Sequence, residues 1–343
     1  MGQKSALLCR SAVLFILILT TSAWPDLITY DNDKIKLRGG ALESTTDTMD
    51  FLNVHSGSKF LVENSSLTVI GNASVTDYLS CISVENSSLA IGENLSIQND
   101  AEFLAYNNAF PSTPSITVAG KMNVEGNLTY VFMEKVNMTI ADNLQITNGA
   151  NVSSNNSKFA AQSCSLENNS SMALYQTTLE FETLAMQEGS MLGGSGDWKI
   201  NQLTNQGDFF IGFSPGQVDL DGNYIQQSTA TLFMEIGGYE PEKNDRFNIT
   251  GNALLDGVLD LNLIDKFTPL LNDSFTLMTY TGYSGAFDFT SPTFADGQYF
   301  QLIYNDTALV AVVVPEPGVG LLILAALPWL TGKRRGRRLR SAD

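Results

Sequence analysis

From about residue 51 onward the chain runs in short stretches where every second residue is apolar, separated by Asn, Ser, Gly and Asp. Long segments with a period near 3.6 are absent, so the pattern predicts strands and an all-β protein. Four nine-residue segments align: 67–75 (LTVIGNASV), 89–97 (LAIGENLSI), 116–124 (ITVAGKMNV) and 138–146 (MTIADNLQI), starting 22, 27 and 22 residues apart. Each is apolar at places 1, 3, 7 and 9 and polar or Gly-containing at its centre. Places 1 and 3 read as the inward positions of one short strand. The centre is a corner, eased by Gly71, Gly92, Gly120 or Asn143. Places 7 and 9 are the inward positions of the next strand. A coil of about 22 residues cannot bury its apolar face alone, and stacked coils can, which predicts a parallel β-solenoid, or β-helix. On that register Leu67, Leu89, Ile116 and Met138 form one inward column. A sandwich of irregular strands is the competing architecture.

The phrase Val62-Glu63-Asn64-Ser65-Ser66-Leu67 recurs as Val84-Glu85-Asn86-Ser87-Ser88-Leu89, and the longer offset leaves room for a loop at 107–114 (NNAFPSTP). After Asn148 the register blurs, with 165–172 (SLENNSSM) reading as a degraded copy of the phrase. The texture changes at Gly193-Gly194-Ser195-Gly196. From there the order is an N-x-G turn at Asn205-Gln206-Gly207, Ser214-Pro215-Gly216, Gly222-Asn223-Tyr224, Asp245-Arg246-Phe247-Asn248-Ile249, Gly257-Val258-Leu259, Asp273-Ser274-Phe275-Thr276-Leu277 and Gly285-Ala286-Phe287. Alternating runs at 231–236, 258–263, 299–304 and 309–314 add strands. This order resembles the β-rich terminal region of autotransporter-like passengers, a resemblance that implies a scaffold and no activity. Lys243-Asn244 departs from it, since the family often has Gly there.

The two ends do not belong to this pattern. Residues 1–23 hold Lys4 and Arg10, an apolar run at 12–19 and a small-residue exit, Thr21-Ser22-Ala23. They predict a secretory signal peptide cleaved between Ala23 and Trp24. At the other end Pro315-Glu316-Pro317 is followed by an apolar run, 318–330 (GVGLLILAALPWL), and then by Lys333, Arg334, Arg335, Arg337, Arg338 and Arg340. An apolar helix entering a bilayer halts when several guanidinium groups would have to follow it, so this is a stop-transfer arrangement. As a helix, 318–332 would rise only about 22 Å against roughly 30 Å of hydrocarbon. A span that short suits a processing signal better than a permanent anchor. The alternative is an ordinary single-span anchor.

Removing the ends sharpens the charge. The whole chain of 343 residues carries −17, from 36 acids and 19 Lys and Arg. Residues 24–314 keep eleven of the cations and 34 of the acids, a net −23. Such a surface repels nucleic acid and other polyanions. Cys9 leaves with the signal peptide. Cys81 and Cys164 then either pair, if their Cα atoms come within about 7 Å, or sit as small buried residues in the core. Asn-x-Ser/Thr triplets at Asn64, Asn72, Asn86, Asn94, Asn127 and Asn137 read as glycosylation acceptors or as turn residues whose side chains satisfy the backbone. The turn reading suits a chain whose corners fall there.

No catalytic set emerges. His55 is the single histidine, and neither a Cys-x-x-Cys nor a His pair offers a zinc site. Asp219-Leu220-Asp221-Gly222-Asn223 and Asp31-Asn32-Asp33 supply oxygen ligands suited to Ca²⁺, but fit neither an EF-hand loop nor the G-G-x-G-x-D repeat. The expectation is therefore no catalytic residues and no cofactor, with Ca²⁺ the one metal these oxygen-rich stretches suit.

Order, spacing and terminal position make the tail resemble the PEP-CTERM sorting signal of Gram-negative bacteria that produce exopolysaccharide. The resemblance implies recognition of Pro315, Glu316 and Pro317 by exosortase, a membrane transpeptidase. It implies Lys333, Arg334, Arg335, Arg337 and Arg338 as the stop-transfer cluster, and transient contact of 318–330 with the inner membrane. The domains expected are a signal peptide at 1–23, a solenoid at 24–192, a β-rich terminal region at 193–314 and a sorting signal at 315–340. The expected role is an exported, non-enzymatic structural or adhesive protein of the cell surface or extracellular matrix, with exopolysaccharide a possible partner. The alternative is a secreted polysaccharide-acting enzyme on a β-helix scaffold.

Overall fold

The computed structural model describes residues 27–31, 34–38, 46–49, 51–55, 57, 59–108, 113–292, 294 and 297–315, with side chains from residue 51 onward. The expected signal peptide with its Ala23–Trp24 junction, Glu316 and Pro317, the apolar run 318–330 and the basic cluster lie outside these residues, as do Asn32 and Asp33.

The protein is all-β, a parallel β-solenoid in which each coil contributes strands to three faces. The first face is one sheet of 13 strands in chain order. The second and third faces join into a 20-stranded sheet at a shared corner. The columns read from the sequence fall on the second and third faces. Leu67 pairs with Leu89, Leu89 with Ile116 and Ile116 with Met138. All four are 1 % exposed or less. Places 7 and 9 stack likewise: Ala73 on Leu95, Leu95 on Met122, Met122 on Leu144. Every one of these inward residues is buried in a single core that runs through the stack. Each buried Leu, Ile or Val contributes about 1.5–3 kcal/mol relative to exposure, against about 1–2 kcal/mol per residue of backbone ordering. A lone coil therefore does not hold, and neighbours supply the balance.

The first face follows the same rule with Phe60 and Val62, Ile82 and Val84, Phe103 and Ala105, Val131 and Met133 inward. The chain passes from the first to the second face through a recurring corner. A residue with positive φ comes first: Asn64 (50°), Asn86 (49°), Lys135 (55°), Asn156 (48°) or Gln176 (45°). A small side chain then turns inward at Ser65, Ser87, Ser157 and Thr177. The Ser87 and Ser157 hydroxyls donate to the carbonyls of Glu85 and Asn155, at 2.6 and 2.9 Å. The same oxygens accept the N–H groups of Ser65 and Val136 one coil below, at 3.0 and 3.1 Å. One hydroxyl thus satisfies two backbone groups that the corner strips from the ladders. The eight residues between the strands Glu102–Tyr106 and Ser115–Val118 replace this two-residue corner, which is the insertion expected from the 27-residue offset.

The stack continues past Asn148, and the blurred register has a local cause. At Lys158–Leu166 the corner between the second and third faces loses a residue, and one nine-residue strand bends through both. Met138 pairs with Phe159 and Leu144 with Cys164. The inward places shift from 1, 3, 7, 9 to 1, 3, 6, 8 at Phe159, Ala161, Cys164 and Leu166. Leu179, Phe181, Leu184 and Met186 repeat the new spacing, all buried. The phrase at 165–172 is also not a copy of 62–67. It bridges the third and first faces, and the true equivalent is Ser154-Asn155-Asn156-Ser157-Lys158-Phe159. Both corners need a left-handed residue and a small buried one, so they draw on the same letters.

Parallel pairing also runs unbroken across Gly193: Ala173, Gly193 and Phe210 are successive partners on the first face, as are Leu179, Trp198 and Leu220 on the second. The strand Gln217–Gln226 shortens its corner again at Gly222, where φ is 151° and a Cβ would lie 1.7 Å from the Ile200 carbonyl oxygen. The core changes character here. Trp198, Phe209, Tyr224 and Phe247 interlock with centroids 5.0–6.2 Å apart. The buried polar row Asn205–Tyr224–Gln226 is closed by hydrogen bonds of 3.3 and 2.6 Å. The expected Asn205-Gln206-Gly207 turn is made by the Gly207 N–H donating to the Asn205 side-chain oxygen at 3.0 Å.

Among the described residues an antiparallel strand caps one face at each end. Leu27–Asp31 folds onto Lys34–Arg38. At the far end Ala308–Pro315 pairs antiparallel with Ser274–Thr279 on one side and Gln298–Asn305 on the other.

Candidate functional site

Pro315 is the last residue of the strand Ala308–Pro315 and stands opposite Gln298. The strand is held from both sides and from beneath. Leu309, Ala311 and Val313 are fully buried. Phe300 packs edge-on against Phe275 and Phe294, at 6.0 and 4.8 Å. A proline is tolerated at this place because the strand has finished and its missing N–H costs no ladder bond. Among the described residues the packed β unit thus reaches the first residue of the Pro-Glu-Pro tripeptide.

A turn flanks this exit. The Leu270 N–H donates to the Asp273 carboxylate at 2.6 Å and the Asp273 N–H to the Leu270 carbonyl at 3.0 Å, with Asn272 at φ 71°. Asn272 N–H donates to the Val313 carbonyl, and Val313 N–H to that of Asp273. Leu270 and Leu271 point outward from this turn at 66 and 45 % exposure. Sequence reading passed over them because the turn sits between alternating runs and has no period of its own.

The second face carries a shallow groove of about 410 Å³ across the strands that follow Thr178. Glu180, Asp197, Lys199, Asp219, Asp221, Asn248 and Thr250 are among the residues that line it. All but Thr250 are outward positions on paired strands, so Asp219 and Asp221 belong to the strand Gln217–Gln226 and not to a loop. Asp219 accepts hydrogen bonds from Gln217 and Asn248, at 2.6 and 2.7 Å. Thr250 donates to Asp221 at 2.9 Å. Asn223, the third residue of the considered Ca²⁺ set, accepts the Asn252 N–H at 2.9 Å. Among the described residues no three of His, Cys, Asp and Glu are grouped so as to hold a metal ion. The groove's signal was the alternate, non-core letters of the long strands, legible only once their register is known.

Asn72, Asn94 and Lys121 form a ladder up one corner: Asn94 Nδ2 donates to Asn72 Oδ1 at 3.0 Å, and Lys121 N–H to Asn94 Oδ1 at 2.8 Å. Asn64 and Asn86 take the left-handed corner described above. Asn137 differs: it opens the strand Asn137–Ile140 and is exposed. His55 follows the strand Leu52–Val54 and is half-buried. Cys81 and Cys164 are buried free thiols. Burial pushes the Cys81 thiol up to about 11 and raises that of Cys164 as well.

One buried carboxylate was not anticipated. Asp245 is 1 % exposed and accepts N–H bonds from Gly216 at 2.6 Å and Glu235 at 2.8 Å. It ties the 212–216 loop to the strand Thr231–Ile236. Burial raises it from 3.8 to about 7, with the Glu235 charge adding to the rise and the two N–H donors opposing it. Among the described residues no helix is long and apolar enough to cross a membrane. No protein-family model matches the chain, and no curated protein matches its sequence.

Proposed function

We propose that this is an exported, non-enzymatic structural or adhesive protein of the cell surface or exopolysaccharide matrix, sorted through its Pro-Glu-Pro tail by an exosortase. The observation that carries the reading is the end of the last strand at Pro315. A sorting tripeptide works if it is extended, accessible and attached to cargo already folded. Here the cargo's final strand delivers it directly, with no linker. On this reading 1–23 directs export, 318–330 lodges briefly in the inner membrane, and Lys333 to Arg340 stay in the cytoplasm. Cutting near Pro315-Glu316-Pro317 then releases an acidic rod with no membrane span. Mass spectrometry of the host's surface fraction tests it. The expected C-terminus lies near Pro315, and an intact peptide spanning 314–330 in the mature protein would mean a permanent anchor.

The carboxylate-lined groove favours a second reading, an enzyme acting on polysaccharide. A screen for turnover of neutral and anionic polysaccharides decides between them. Activity that Asp221→Asn abolishes would replace the structural role.

A further inference from the structure

An exposed leucine by itself is ordinary, and contiguous apolar surface is not. At the C-terminal end of the solenoid two loops bring such surface together. Tyr239, 57 % exposed, packs against Phe267 with centroids 5.0 Å apart, and Phe267 leads into the turn that presents Leu270 and Leu271. The turn is built to hold them out. Its backbone is closed by the Asp273 carboxylate and carbonyl bonds already described, and Pro269 behind it is buried. Nothing in this arrangement draws the leucines back toward the core.

Their position relative to the chain's exit selects the occupant. Ser274 pairs with Val312 in antiparallel register, and Asn272 and Asp273 both bond Val313. These bonds fix the turn against Val313, two residues before Pro315. The apolar run 318–330 begins three residues later. Three extended residues span about 10 Å. If that run enters a bilayer, the surface beside Pro315 lies at the level of the headgroups, where leucine and tyrosine are favoured over water.

We propose that the Leu270–Leu271 turn, with Tyr239, is a membrane-seating surface: it dips into the lipid interface and sets the end of the solenoid against the bilayer while the tail is in place. This rests on the tail reading above. The surface carries Glu240, Glu242, Lys243, Asp265 and Lys266 around it, a mixed rim that does not select anionic lipid. Zwitterionic phosphatidylcholine is therefore the probe.

The test places nitroxide labels one at a time in the full chain reconstituted into phosphatidylcholine vesicles, in a Cys9→Ser background. Cys81 and Cys164 are buried and stay unlabelled. The labelled variants are Leu270→Cys, Leu322→Cys in the tail, and Leu128→Cys, an exposed turn several coils away. Collision with oxygen, which concentrates in lipid, is compared with collision with a water-soluble nickel chelate. The expected result is an oxygen-to-nickel ratio several-fold higher at 270 than at 128, and higher still at 322. A lipid signal at 322 with equal ratios at 270 and 128 overturns the seating surface and leaves the tail reading standing. Shielding of 270 from both reagents also overturns it, since the chain's own apolar run would then cover the patch. An aqueous signal at 322 removes the tail reading, and the seating surface with it.

Discussion

Leu89 lies between Leu67 and Ile116 with 1 % of its surface exposed. Replacing it by Asp places a charge among apolar neighbours with no partner, which costs several kcal/mol. The thermal midpoint of Leu89→Asp is expected to fall by 10 °C or more, at about 2–4 °C per kcal/mol for a chain of this size, and an unchanged melting curve would refute the column. Asp245 gives the opposite kind of evidence, a dependence on pH. Its pKa is raised from 3.8 to about 7 on folding. Between those values the folded state keeps a proton that the unfolded chain has released, so this group's contribution to stability is full below about pH 4 and is lost as pH rises through 7. Relief of repulsion among the many acids slopes the same way. The comparison with Asp245→Asn separates the two: the variant is expected to be less stable at low pH, because an amide offers only one acceptor to two N–H donors, and to lose a smaller amount between pH 4.5 and 7.5. Parallel denaturation midpoints at the two pH values, for both proteins, would rule Asp245 out as the titrating group. At Gln176, whose φ is 45° on an exposed corner, relief of backbone strain favours Gly. Gln176→Gly is expected to raise stability by about 0.5–1 kcal/mol in chemical denaturation, whereas Gln176→Val should lower it.

At the scale of the element, alternation exposed two of the three strands in each early coil, because Leu67-x-Val69 and Ala73-x-Val75 flank a corner of fixed length. The first-face strand was harder to align, since its inward pair varies from Phe60 and Val62 to Val152 and Ser154 while the flanking corners change length. Past Lys158 the corner between the other two faces shortens by a residue, and a fixed-spacing template loses the pattern although every inward place is still filled. The antiparallel closure was not legible at all: the alternation at 299–304 and 309–314 names strands but not their partners. Nor was Asp245, whose burial depends on Gly216 and Glu235 arriving from separate segments. The Asn ladder was legible as turn chemistry, and it sets an element-level prediction. Asn94→Ala removes an acceptor for Lys121 N–H and a donor to Asn72, and should cost about 1 kcal/mol, while Asn137→Ala on its exposed strand end should cost little. Equal losses in urea denaturation would show that the ladder contributes nothing beyond its strand.

For the whole molecule, nearest-neighbour stacking means that coils are nearly interchangeable units. Phe159 and Leu179 are partners 20 residues apart. Deleting 158–177 therefore removes one coil and joins Ser157 to Thr178 in register, and the product is expected to keep a β-type circular dichroism spectrum and a cooperative melt. Deleting ten residues from the same stretch breaks all three faces and should not fold. The tail is tested in the living host: Glu316→Ala is expected to leave full-length protein in the inner membrane, and normal release of that variant would remove the sorting role from the tripeptide. The antiparallel pairs at the two ends have a further consequence. An antiparallel strand interrupts the parallel ladder that another copy would extend, and it does so on the first face at one end and on the second face at the other. The number of coils then sets the length. Thirteen first-face strands at about 4.8 Å each give a rod of roughly 60 Å. With the exit at one tip, the proposed tail attachment would make the molecule a ruler: whatever its first coil presents would stand a set distance from the surface that holds the last, and each coil added or lost in evolution would move that distance by about 5 Å.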